Sequence, residues 1–141
     1  MTASMGTAST ATATDADVVR ALFGAFARGD LAALSDLLHP GATWHPHNDD
    51  RLGGIHRGAE AIIAYLTESA LLSAGTLHAE PQSVMADAEG HVAVLVRLRA
   101  SRPDGRAMDG PQAVIVTVEG GRVRTIEQFV GDPAAVAAFW A

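Results

Sequence analysis

The sequence predicts an α+β domain in which helices pack on one face of a curved, mostly antiparallel sheet. Two observations predict it. Apolar residues recur at helical spacing through the first half of the chain, with one short strand inserted. After Gly75 the period changes, and four runs of alternating residues follow, divided by turn signals. The order is therefore three helices with a strand among them, then a four-stranded meander.

Each element has its own signal. Val18, Val19, Leu22, Phe23 and Phe26 form one helical stripe, and Gly29 supplies the stop. Asp30 caps a second helix carrying Leu31, Leu34, Leu37 and Leu38, which is expected to end at Pro40. A strand through Ala42-Thr43-Trp44-His45-Pro46-His47 runs into Asn48-Asp49-Asp50, and Gly53-Gly54 breaks it. The third helix spans about 58–72, with Ile62, Ile63, Tyr65 and Leu66 as its apolar face. Strands are predicted over 76–87, 91–102, 110–118 and 122–130. Asp87-Ala88-Glu89-Gly90, Pro103-Asp104-Gly105 and Glu119-Gly120-Gly121 make the connections hairpins. Pro133 opens a short last helix through Phe139 and Trp140.

Alternation assigns the faces. Val92, Val94, Val96 and Leu98 point one way and Arg97 and Arg99 the other. Gln112, Val114, Val116 and Val118 alternate with Ala113, Ile115 and Thr117, while Ile126, Gln128 and Val130 alternate with Thr125, Glu127 and Phe129. Where both faces are apolar, as in 113–118, a second surface is expected to cover the outer one, which points to a homodimer.

Bulk properties exclude several classes. The chain has 141 residues, enough for one core, and 48% of them are apolar. Its net charge is −6 and all ten cations are arginine. An acidic chain without a basic stripe is not expected to bind nucleic acid. There is no cysteine, which removes disulfides, thiolate ligands and a cysteine nucleophile. No apolar run approaches the ~20 residues of a membrane span. Residues 1–14 read as a disordered tail rather than a signal peptide, so 15–141 is expected to be a single cytoplasmic domain. No phosphate loop, nucleophile elbow or CxxC motif is present, and no cofactor is expected.

Several short motifs occur together in a fixed order. Phe26-Ala27-Arg28-Gly29-Asp30 closes the first helix, His39-Pro40-Gly41-Ala42-Thr43-Trp44 enters the strand, and Arg57-Gly58 with Ala61-Ile62 opens the third helix. Gly120-Gly121-Arg122-Val123, Phe129-Val130-Gly131-Asp132 and Phe139-Trp140 complete the set. The chain from about residue 15 onward resembles the SnoaL-like polyketide cyclase branch of the nuclear transport factor 2-like, ketosteroid isomerase-like superfamily. That resemblance implies a cone-shaped barrel, a curved sheet wrapped around three N-terminal helices, with a deep apolar pocket and a common dimeric state. Polyketide cyclases, ketosteroid isomerases, epoxide-opening enzymes and non-catalytic binding modules share the cone, so fold alone does not give the function.

The resemblance can be checked residue by residue. Where ketosteroid isomerases keep an aspartate base this chain has Pro46; Leu22 stands for their tyrosine donor and Val114 for their second acidic donor. The isomerase apparatus is missing. The acid of aldol-type cyclases is also missing, with Gln112 the inward polar group of that region. Arg97 and Arg99 point outward, away from the place an epoxide-opening set would need them.

The expected pocket is lined by Leu22, Phe26, Trp44, Val94, Val96, Val114, Gln128 and Val130, with Tyr65, Gln112, His47 and Asp49 as the groups able to do chemistry. Gln112 and Gln128 could hold a carbonyl, or they could simply bond a neighbour or a buried water. Tyr65 could donate to a substrate oxygen, or sit as a core tyrosine with its hydroxyl at the rim. His47 beside Asp49 offers an acid–base pair at the mouth; the plainer alternative is a solvated loop histidine. A metal held by His45, His47, Asp49 and His56 lacks any helical i,i+3 or i,i+4 ligand pair, so none is expected. His78 and His91 read as surface residues. The expected function is a cofactor-independent cyclase acting on a hydrophobic, polyketide-like substrate largely through its shape. A non-catalytic ligand-binding or dimerisation module, and an epoxide-opening enzyme using Asp49 and a histidine, stand as alternatives.

Overall fold

The computed structural model describes residues 14–48 and 50–141. Thr14 caps the first helix, α1 (Asp15–Arg28), in a reciprocal box with Asp17, and Gly29 closes it in a left-handed conformation. Asp30 caps α2 (Leu31–Leu37) through the Ala33 amide. This helix ends earlier than the sequence suggests. His39 precedes a proline and is biased toward extended backbone, so the chain is already a strand, β1 (Leu38–Pro46), by Leu38. Pro40 lies inside β1, in the stretch where the register with the neighbouring strand shifts and its missing N–H removes no ladder bond.

Two residues, β2 (His56–Arg57), form a short edge strand that the sequence reading missed; they pair with Thr43 and Trp44. Gly58, at φ 89°, donates its amide to the Ala42 carbonyl and turns the chain into α3 (Ala59–Leu72). The meander follows as β3 (His78–Ala86), β4 (His91–Ser101), β5 (Ala107–Glu119) and β6 (Arg122–Val130), and α4 (Pro133–Trp140) ends the chain. β5 starts three residues before its predicted limit, because Ala107 and Met108 still pair with Ser101 and Ala100.

The six strands form one sheet in the order β2-β1-β6-β5-β4-β3. All neighbours are antiparallel except β1 and β6, which run parallel. The two edges do not meet, so the sheet is an unclosed cone. The expectation of a sheet around three N-terminal helices needs correction: two helices precede β1, α3 follows it, and the C-terminal α4 seals one end.

The predicted alternation holds along β4, β5 and β6. Val92, Val94, Val96, Val114, Val116, Val123 and Ile126 are buried and pack with Val19, Leu22, Leu34 and Ile62 from the helices. A second cluster, Leu98, Met108, Val136, Phe139 and Trp140, closes the α4 end. Arg102 and Arg106 donate to the carbonyls of Phe139 and Ala141, holding the last turn of α4 against the hairpin between β4 and β5.

Candidate functional site

Between the concave sheet face and the helices lies a cavity with about 70 Å³ open to the centre of a water molecule. A single ordered water needs roughly 10–15 Å³ on this measure, so the space holds several waters or a compact ligand group. Leu22, Phe26, Trp44, Tyr65, Gln112, Val114 and Gln128 line it. Phe23, Leu52, Leu77, Leu98, Val136 and Trp140 add to its apolar wall, and Asn48 and Ser69 are further polar members.

Three expected lining residues are elsewhere. Val94 and Val96 point inward but are fully covered by the core, and Val130 faces a cleft beside α4. Inward parity is necessary for a pocket position but not sufficient, because Val94 and Val96 belong to the packed core cluster and leave no open space beside them.

The polar groups form one chain. Trp44 Nε1 donates to Gln128 Oε1 at 2.9 Å, and the Tyr65 hydroxyl donates to the same oxygen at 3.3 Å. Gln128 Nε2 then donates to Gln112 Oε1 at 2.8 Å. Indole can only donate, so the Gln128 oxygen must face it. That sets the Gln128 amide, which sets the Gln112 amide in turn. Among the described residues the Gln112 NH₂ has no partner, which makes it the terminal donor of the series, on a residue lining the cavity. Among the described residues no fully buried side-chain polar atom is unpartnered, consistent with that NH₂ facing open space.

Register explains the contact: Gln112 opposes Val130 and Val114 opposes Gln128, so the two glutamines are diagonal neighbours on one face. Burial raises the Tyr65 pKa well above the ordinary phenol value, and the Asp50 charge raises it further. Tyr65 is therefore a neutral hydrogen-bonding group, not a phenolate base. Its ring stacks on His56 at 4.2 Å and tilts against Trp44 at 5.7 Å, which holds it in place.

His47 does not turn toward the mouth. It lies on the outer sheet face, its Nε2 3.1 Å from Glu127 Oε1 and its ring stacked on Phe129 at 4.4 Å. The backbone explains this: the His47 amide still donates to the Gln128 carbonyl, so strand geometry persists one residue past β1 and outward parity with it. Asp49, its expected partner, lies outside the described residues. Asp50 accepts from the Leu52 amide and the Asn48 side chain, closing the loop over the cavity. Gly53 is required there, because a Cβ would stand 2.2 Å from the Asn48 carbonyl oxygen.

Pro46 is fully buried, and Leu22 and Val114 line the cavity, so the three positions matched to isomerase acids and donors present only carbon to the interior.

A SnoaL-like domain model matches residues 19–126. An uncharacterized protein of Mycobacterium tuberculosis is 39% identical over 127 residues, covering 90% of this chain and 96% of its own length. The solved structure of Bal32a, from a soil-derived mobile gene cassette, superposes with a TM-score of 0.87 at 30% identity, covering 90% of this chain and 96% of that one. A proposed polyketide cyclase from Sinorhizobium meliloti shares the fold at a TM-score of 0.65 and 23% identity, over 79% of this chain and 93% of that one. The cone described above is the fold of NTF2-like proteins.

Proposed function

The chain belongs to the SnoaL-like domain family, and on that premise we propose that it is a cofactor-independent cyclase closing a ring on a hydrophobic, polyketide-like intermediate. The observation that carries the reading is the aligned amide chain ending at Gln112, a residue of the mostly apolar cavity wall whose NH₂ has no partner among the described residues. A donor there polarises a substrate carbonyl without taking a proton, and the neutral Tyr65 hydroxyl supports the amide chain by donating to Gln128. With no strong acid or base among the described lining residues, the rate would come mainly from folding a flexible chain into a reactive shape. Proximity and orientation can supply about 7–11 kcal/mol. The compact cavity favours a short substrate chain.

The outer sheet face supports a dimer. Leu95, Ile115 and Phe129 are 49%, 36% and 43% exposed on neighbouring strands, an apolar surface that a second copy would cover.

A second reading rests on the carbon-only positions Pro46, Leu22 and Val114: the cone binds a hydrophobic ligand and does no chemistry. Incubation with a panel of N-acetylcysteamine poly-β-ketone thioesters, followed by mass spectrometry, separates the two. Cyclised product formed faster than in buffer supports the cyclase. Saturable binding without any acceleration supports the binding module.

A further inference from the structure

We propose that His45, His47 and Glu127, on the outer face of the sheet, form a binding site for a borderline divalent metal ion, with zinc the preferred probe. The site is separate from the cavity and does not rest on the cyclase reading.

Strand geometry brings the ligands together. His45 and His47 are two residues apart at the end of β1, so both imidazoles leave the same face. Glu127 is the direct cross-strand partner of His45 on β6. Helical ligand pairs fall at i,i+3 or i,i+4, whereas a strand places i and i+2 together instead.

The distances suit a metal. His47 Nε2 lies 3.1 Å from Glu127 Oε1 and His45 Nδ1 lies 3.5 Å from Glu127 Oε2, with all three donor groups within 4.8 Å. Bonds of about 2.0–2.2 Å in a tetrahedral zinc site set neighbouring ligand atoms roughly 3.3–3.5 Å apart. Little movement is needed to bring one ion to all three. Two imidazoles and one carboxylate favour zinc, nickel or copper over magnesium or calcium. Three protein ligands leave a coordination position open.

Packing holds the rings in place. Phe129 stacks on His47 with a 9° interplanar angle, and the two histidine rings lie 3.7 Å apart. The residue choice is also telling. Asp109 and Glu80 on this sheet pair with Arg97 and Arg99. At Glu127 both oxygens instead meet imidazoles, which can share their lone pairs with a metal where guanidinium cannot. In the single chain the side chains are 31%, 34% and 39% exposed; Phe129 beside His47 and Ile115 opposite Glu127 belong to the face proposed as the dimer contact, so the site lies next to that contact.

The test is zinc titration of untagged protein by calorimetry, with cobalt(II) absorption as a spectroscopic report of the ligand field. The expected result is saturable binding near one zinc per chain, absent with magnesium, lost in His47→Ala and in Glu127→Gln, and retained in His91→Ala. His91 pairs with Asp87 elsewhere and serves as the control for adventitious histidine binding. Near-UV circular dichroism of each variant establishes that the fold survives; Glu127→Gln keeps the side-chain shape and remains informative if a histidine variant unfolds. No saturable zinc binding in the wild type, or binding unchanged in a folded His45→Ala/His47→Ala or Glu127→Gln protein, overturns the proposal.

Discussion

Gln128 accepts from Trp44 Nε1 through its oxygen and donates to Gln112 through its nitrogen, so one indole sets the orientation of two amides. Replacing Gln128 with Met removes the acceptor that Trp44 and Tyr65 share and leaves the Gln112 oxygen without its donor. A loss of about 1–3 kcal/mol is expected, the usual cost of stranding a buried polar group. Trp44→Phe removes the indole donor and part of the ring that packs on Tyr65, while Tyr65 still donates to Gln128, so the hydrogen-bond share of its loss should be smaller, about 0.5–1.5 kcal/mol. Urea denaturation of both variants measures the difference, and equal stability with wild type would show that the chain contributes nothing.

Core and surface leucine-type residues should separate cleanly. Ile62 is fully buried between α3 and the sheet, whereas Leu71, on the same helix, is 75% exposed. Ile62→Ala is expected to cost about 2–5 kcal/mol, and Leu71→Ala to stay within about 0.5 kcal/mol of wild type. Chemical denaturation with a common m-value checks both.

The outer sheet face gives a prediction about assembly. A Leu95→Asp/Ile115→Glu double variant puts charge on the exposed apolar surface without touching the cavity. Sedimentation velocity should show a dimer for wild type and a folded monomer for the variant. A wild-type monomer, or a variant that still dimerises, removes this face as the interface.

Acid should loosen the C-terminal helix. Arg106 bonds Asp104 while also holding the Phe139 and Ala141 carbonyls, and that guanidinium is the first cause lowering the Asp104 pKa from 3.8 to about 2. A carboxylate depressed in the folded state stabilises it above its unfolded pKa. That contribution is complete above about pH 4 and fades as pH falls through about 2. Hydrogen exchange of the 133–140 amides should therefore quicken relative to the β4 and β5 amides between pH 4 and pH 2, and Asp104→Asn should remove that pH dependence.

Much of this architecture was legible in the sequence, because a half-buried strand must alternate. Val92 to Leu98 and Gln112 to Val118 declared their faces without any structure. What stayed hidden depended on distant contacts. The two-residue strand at His56–Arg57 is too short for a periodic signal, and the parallel pairing of β1 with β6 joins segments some eighty residues apart. Gln112 and Gln128 could be placed on neighbouring strands from the sequence. That Trp44 would orient them could not, because the pairing of β1 with β6 sets that contact. His47 keeps outward parity instead of turning to the mouth because its amide still bonds the Gln128 carbonyl, a contact that local pattern does not show. Trp140 reaches the cavity only through the packing of α4, for which local pattern carries no information.

The proposed cyclase role puts the Gln112 amide on a substrate carbonyl during ring closure. The most direct test is the rate of cyclisation of an accepted poly-β-ketone thioester by wild type and by folded Gln112→Ala. Removing one preorganised donor should lower kcat by roughly 10²-fold, with a flat pH–rate profile for wild type between pH 5 and 8. A Gln112→Ala enzyme that turns over at the wild-type rate would contradict it.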